Sequence, residues 1–161
     1  FASRKNPGSA GDTGKPDAVV IVPFHKKLEK LVVIKEFRVV LGGIQYGFPA
    51  GLVDQGETVT QAGRRELFEE TGLELTRVLN LSPPVFSSSG MTDETVGLLY
   101  AECDGTPTSR FNEASEDIEV LLLSKNEART LLDDPGIIYD VKTWIVLNAY
   151  AATGTIPGQG R

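Results

Sequence analysis

The stretch Gly51-Leu-Val-Asp-Gln-Gly-Glu57-Thr-Val-Thr-Gln-Ala-Gly-Arg-Arg65-Glu66-Leu-Phe-Glu69-Glu70-Thr-Gly72-Leu73 decides how this chain is read. Glu66, Glu69 and Glu70 stand at i, i+3 and i+4, so on a helix they share about 100° of one face. The helix has its own local support. Thr58 and Gln61 form a Thr-x-x-Gln capping box, and Gly72 is a suitable left-handed stop, which predicts a helix over about 59–71.

Such a helix is crowded with like charge. Glu66 repels Glu69 and Glu70, and the cluster lies toward the C-terminal half, where the macrodipole disfavours anions. Arg65 can pair with Glu69 at i+4, but one cation does not neutralise three anions. A divalent cation would, and carboxylate oxygens suit Mg²⁺ or Mn²⁺ better than zinc. The alternative is a solvated acidic face. Against it, Val59 and Gly63 share the stripe of Glu66 and Glu70, while Arg64 and Phe68 lie roughly opposite, so polarity does not divide into two clean faces.

The 161 residues, 40% of them hydrophobic, are enough for one domain with a sizeable core. No apolar run reaches membrane-spanning length. The net charge of −6 without a Lys/Arg cluster argues against nucleic acid as a partner, although local cations and a metal can still admit a nucleotide-based small molecule. Cys103 is the only cysteine, so no internal disulfide forms, and its strand-like surroundings make it a core candidate in a reducing cytoplasm. The chain begins at Phe1 rather than Met, which suggests that residues 1–5 end a strand begun earlier.

The remaining pattern is mixed. Strands are expected at 17–24, at 30–38 as a hairpin partner, at 45–48, 74–81, 95–102 and 118–123, with a loop over 82–94. Ser124-x-x-Glu127 opens a second helix that Pro135-Gly136 ends, and Asp140 caps a last helix over 141–152. The resulting organisation is an N-terminal segment over 1–16, a domain over 17–154 and a tail over 155–161. Other signals fail. Gly11 to Lys15 lacks the first glycine of a phosphate loop, with Ser9 in its place, and Pro16 stands where Ser or Thr is required. His25 is the only histidine and no Gly-x-Ser-x-Gly elbow exists, so neither a His-rich zinc site nor a serine-hydrolase triad fits, and His25 reads as a hairpin-end residue.

The Gly51-to-Leu73 stretch matches the Nudix box at every specified position, and the chain resembles that family. The resemblance implies an α/β fold of the α+β type, a mixed sheet sandwiched between helices, and Mg²⁺-dependent hydrolysis of a nucleoside diphosphate linked to another moiety. Four further segments are similar to the branch that hydrolyses ADP-ribose and nucleoside diphosphate sugars: Lys35 to Arg38, Phe48 to Gly51, Ser87 to Glu94, and Ala114 to Val120. One departure stands out: where that branch carries a proline, this chain has Ser89, which frees φ and restores an N–H, and the choice of sugar is left open.

Carried over residue by residue, the resemblance implies a metal site of Ala50, through its carbonyl, with Glu66, Glu69 and Glu70. Mg²⁺ is the expected ion, and Mn²⁺ is an alternative. It implies substrate contacts from Arg38, Arg4, Gly90, Met91 and Glu94. Catalytic roles fall to Glu116 as base, with Glu113 and Glu119 as rivals, and to Glu69 and Arg65. It further implies a homodimer whose substrate is a small nucleotide sugar. Two other readings stay open: a Nudix enzyme for nucleoside triphosphates or dinucleotide polyphosphates, and a non-catalytic nucleotide-sugar-binding module.

Overall fold

Each helix begins where the sequence marks it. In α1 (Val59–Thr71) the Thr58 hydroxyl accepts from Gln61 N–H at 3.2 Å and Gln61 Oε1 accepts from Thr58 N–H at 2.8 Å, while Gly72 closes the helix at φ 70°. In α2 (Lys125–Leu132) Ser124 and Glu127 make the same reciprocal pair. In α3 (Val141–Thr153) Asp140 Oδ1 accepts from Thr143 N–H at 2.8 Å. These positions come from a computed structural model, which describes residues 14–111 and 118–160.

Eight strands form one mixed sheet: β1 (Ala18–His25), β2 (Lys30–Arg38), β3 (Gly43–Gly47), β4 (Ala50–Leu52), β5 (Glu74–Leu81), β6 (Val85–Phe86), β7 (Thr95–Asp104) and β8 (Ile118–Leu123). The main path runs β3-β2-β1-β7-β5. β1 and β7 lie parallel over their whole overlap, from Ala18 opposite Val96 to His25 opposite Cys103, and the other pairings are antiparallel.

The β1–β2 hairpin expected from sequence exists only at its turn, where Phe24 faces Leu31 and His25 faces Lys30. Beyond that the two strands part. β4 takes the edge of β1 at Ala18 to Val20, and β8 and β3 take the two edges of β2. The parting opens a fork in the sheet, and the fork becomes the cleft described below.

Both faces of the sheet are covered, which is why β1 reads as a continuous apolar run rather than an alternating one. On one face Val20, Val22, Phe24, Leu31, Val33, Phe48 and Leu123 pack with Val146, Leu147 and Tyr150 of α3 and Ala128 of α2. On the other, Val19, Ile21, Val32, Leu99, Ala101 and Cys103 pack with Ala62 and Leu67 of α1. The expected sandwich of a mixed sheet between helices is what forms. α1 approaches closely because residue 63 is glycine: a Cβ there would overlap Leu99 Cδ2. Arg64 donates to the Leu75 carbonyl and ties α1 to β5.

His25 does end the hairpin, but it is buried, with Nε2 at 2.9 Å from the Gly105 carbonyl and Nδ1 accepting from Leu28 N–H at 3.3 Å. The stretch from 155, expected as a tail, instead returns to the core, where Ile156 is buried against the α3 layer. β4 and β6 were not expected, and β7 continues two residues past its expected end to Asp104, which seats Cys103 fully in the core.

Candidate active site

α1 and β4 bring the first part of the site together. Glu66 and Glu70, one turn apart on α1, reach consecutive residues of β4. Glu70 Oε2 accepts from Ala50 N–H at 3.3 Å, and Glu70 is 6% exposed. The Glu66 carboxylate occupies the space over Gly51 that a side chain would fill: a Cβ at residue 51 would overlap both carboxylate oxygens. Gly51 and the two glutamates are therefore one fitted unit, joined across the 15 to 19 residues that the box prescribes.

Arg65 holds this unit from the side. Its Nε and Nη2 donate to Glu57 at 3.0 and 3.1 Å, Nη1 donates to Glu66 at 2.6 Å and to Glu69 at 3.2 Å, and Nη2 also donates to the Leu52 carbonyl at 3.1 Å. The expected i+4 pair with Glu69 is present, and the fork to Glu57 adds a planar two-point contact that lysine could not make. The Arg65 hydrogen bonds hold Glu57 below the ordinary glutamate range, and the bonds to Glu57 raise Arg65 further above its own. Glu69 is half exposed and engaged with Arg65. Among the described residues no three His, Cys, Asp or Glu side chains converge on one point, so Glu69 does not stand with Glu66 and Glu70 as a ready-made triad.

A cleft of about 330 Å³ lies in the fork between β1 and β2. Ala18, Val20, Phe48 and Val96 form its apolar floor, and Ala50, Gly51 and Leu52 form the wall shared with α1. Arg38 and Glu94, both expected at the substrate, line it. Arg38 projects from the end of β2, half exposed, with Nη2 at 2.9 Å from Glu36. The loop between β6 and β7 is closed at its base by Ser87 N–H donating to the Glu94 carbonyl at 3.0 Å, and Ser87 and Glu94 border the cleft. Gly90 and Met91 lie at the exposed tip of that loop and are not part of the cleft wall. Arg4, Glu113 and Glu116 lie outside the described residues, as does the strand end expected at residues 1–5. Glu119 is described: it faces Lys35 across the β8–β2 pairing and forms an ion pair with it.

Glu36, Asp140 and Lys142 also line the cleft and were not anticipated. Glu36 lies inside the segment already singled out, so its alternation with Arg38 could have shown it. For Asp140 the helix-cap reading was correct but incomplete. Nothing local to Lys142 marks it.

The residues present fit a divalent cation. The two carboxylates, with the Ala50 carbonyl that the family resemblance adds, are all hard oxygen, and Mg²⁺ commonly uses one or two carboxylates with waters and substrate phosphates for the rest. The glycine cradle under Glu66 brings a carboxylate closer to the backbone than any other residue at 51 would allow.

Comparisons with known proteins identify the family. A family model described as the NUDIX domain matches residues 14–144. The ADP compounds hydrolase NudE of Escherichia coli K12 is 39% identical over 124 residues, covering 74% of this chain and 62% of its own length. The ADP-sugar pyrophosphatase of Mus musculus is 31% identical over 128 residues, covering 74% of this chain and 58% of that protein. A crystal structure of an ADP compounds hydrolase superposes with a TM-score of 0.65 at 26% identity, over 89% of this chain and 74% of the other. This chain belongs to the Nudix family. It spans about three fifths of the length of these two curated relatives.

Proposed function

We propose that the chain is a divalent-metal-dependent pyrophosphohydrolase that cleaves the diphosphate of ADP-ribose or a related nucleoside diphosphate sugar, releasing a nucleoside monophosphate and a sugar phosphate. The observation that carries the proposal is the placement of Glu66 and Glu70 on Ala50 and Gly51, at the wall of a cleft that Arg38 also lines. The names of the relatives, an ADP-sugar pyrophosphatase and an ADP compounds hydrolase, support the substrate class.

In this reading Glu66, Glu69, Glu70 and the Ala50 carbonyl would hold Mg²⁺, or Mn²⁺ in its place. Bound there, the ion supplies charge neutralisation of the diphosphate and a more acidic water. Arg38 binds phosphate oxygens once it exchanges its contact with Glu36 for the substrate, and Arg4 is a second candidate. Arg65 is a positioning residue, fixing Glu66 and Glu69 against their mutual repulsion. The apolar floor of Val20, Phe48 and Val96 excludes water from one side of the ligand and strengthens each polar contact. Glu116 takes the proton of the attacking water. The homodimer implied by the family resemblance belongs to the same proposal, as does a cytoplasmic setting; among the described residues no helix is long and apolar enough to cross a membrane.

The test is a Mg²⁺-dependent hydrolysis screen over ADP-ribose, other diphosphate sugars, nucleoside triphosphates and dinucleotide polyphosphates. The highest kcat/KM is expected on a diphosphate sugar. Preference for a triphosphate would replace the substrate class while keeping the metal chemistry.

A further inference from the structure

Among the described residues the cleft is lined by two cationic side chains, Arg38 and Lys142, and three carboxylates, Glu36, Glu94 and Asp140. The formal charge of these described residues alone disfavours the diphosphate, so the disposition of these two cations matters. Arg38 is held by Glu36 at 2.9 Å. Lys142 is held far less. Among the described residues its nearest acidic partner is Asp140 Oδ1 at 3.9 Å, beyond hydrogen-bond reach, and that oxygen already accepts from Thr143 N–H at 2.8 Å as the cap of α3.

Lys142 is partly covered, with 26% of its side chain exposed. The base of the side chain is firmly placed. Tyr46 N–H donates to the Ile138 carbonyl at 2.8 Å, Tyr46 and Tyr139 form a parallel bridge, and the Tyr139 hydroxyl donates to the Leu131 carbonyl at 2.8 Å. These bonds pin the entry of α3 to β3, beside Gln45 and Gly47 of the cleft wall. Val146, Leu147 and Tyr150 anchor the rest of the helix in the core. A fixed stem with a loosely held ammonium is suited to closing on an anion that arrives with the ligand.

We infer that Lys142 is a specificity-determining residue that binds a phosphate oxygen of the substrate from the α3 side of the cleft, across from the β4 wall of Ala50, Gly51 and Leu52. The inference rests on the diphosphate reading of the cleft. It makes the cleft two-sided: a metal held by the carboxylates would meet the diphosphate at β4, and Lys142 binds it from α3. A ligand without phosphate gains nothing from Lys142.

Binding of ADP and of adenosine to the full chain, measured by calorimetry with EDTA present, separates the possibilities without depending on turnover. Lys142→Ala should weaken ADP binding about tenfold, the lower end of what a hydrogen bond to a charged group contributes, because the site is partly solvated. Lys142→Arg should recover most of the loss, and adenosine should bind all three proteins alike. With Mg²⁺ and ADP-ribose, KM should rise in Lys142→Ala by a similar factor. Equal ADP affinity in wild type and Lys142→Ala overturns the role of Lys142 and leaves the hydrolase reading standing. An equal loss of adenosine binding overturns it too, since it reports a general disturbance of the cleft. Absence of ADP binding to the wild type both in EDTA and with Mg²⁺ overturns the diphosphate reading, and the inference falls with it.

Discussion

The carboxylate of Glu66 lies in the space that the missing side chain of Gly51 leaves open. The relationship is steric rather than conformational, since among the described residues positive φ is found at Glu29 and at seven glycines, and Gly51 is not one of them. Alanine at 51 is therefore compatible with the backbone, and the group it would displace is the end of a flexible side chain. Gly51→Ala should keep the melting temperature within a few degrees while lowering kcat/KM about 10²-fold, the scale on which displacement of a reacting group by about 1 Å is felt. Thermal melts and steady-state kinetics on the same preparation check this. A variant that melts normally and hydrolyses normally would show that Glu66 need not sit where it does.

The candidate base can be tested against its neighbours. Glu119 is engaged by Lys35 on the sheet, which keeps Lys35 above its ordinary range. Glu119→Gln should accordingly change kcat little. Glu116→Gln should lower kcat by about 10²- to 10⁴-fold with little change in KM, the usual range for general base catalysis. If Glu113→Gln is instead the crippling substitution, the base is Glu113.

Stability in acid should depend on Glu127. The Ser124 N–H, then the Ser124 hydroxyl, then Lys30 hold its carboxyl down to about 2, from an ordinary 4.5. A group depressed in the folded state contributes fully above its unfolded value and loses that contribution as pH falls toward the folded one. Wild-type stability should thus decline between about pH 4.5 and pH 2, and Glu127→Gln should be weaker at neutral pH and flatter across that window. Urea midpoints taken at steps of pH report it. Parallel curves for the two proteins would mean that the box contributes no pH-dependent stability.

Thr143 is fully buried, and its Oγ1 has no hydrogen-bond partner among the described residues. Replacing a buried, unpaired hydroxyl with a methyl of similar shape removes a desolvation cost. Thr143→Val should leave stability unchanged or raise it by up to about 1 kcal/mol, read from denaturant midpoints at constant m. A loss of similar size would show that the hydroxyl is satisfied in solution.

What could be read in advance was local. The three helices announce themselves through Thr58–Gln61, Ser124–Glu127 and Asp140, because a cap is a contact between residues three apart. The carboxylates of α1 were legible for the same reason. β4 and β6 were not, since two or three residues carry no alternation and become strands only by pairing with β1 and β7. The fork between β1 and β2 also arises from distant partners: β2 is drawn away by β8, more than 80 residues on. The cleft follows from that fork, so Lys142 could not be placed in it before the sheet order was known. The role of Gly51 is intermediate. Its spacing to Glu66 was visible, but the reason for a glycine became clear only when the carboxylate was seen in the place of its side chain.

The central claim is that Glu66 and Glu70, fitted to Ala50 and Gly51, are the seat of a metal-dependent hydrolysis. Product analysis of ADP-ribose incubated with the full chain and Mg²⁺, alongside the same protein in EDTA and the Glu70→Gln variant, tests it most directly. The account predicts a nucleoside monophosphate and a sugar phosphate from the wild type with Mg²⁺, no turnover in EDTA, and a loss of at least about 10²-fold in Glu70→Gln. Turnover at the wild-type rate in EDTA or in Glu70→Gln would contradict it.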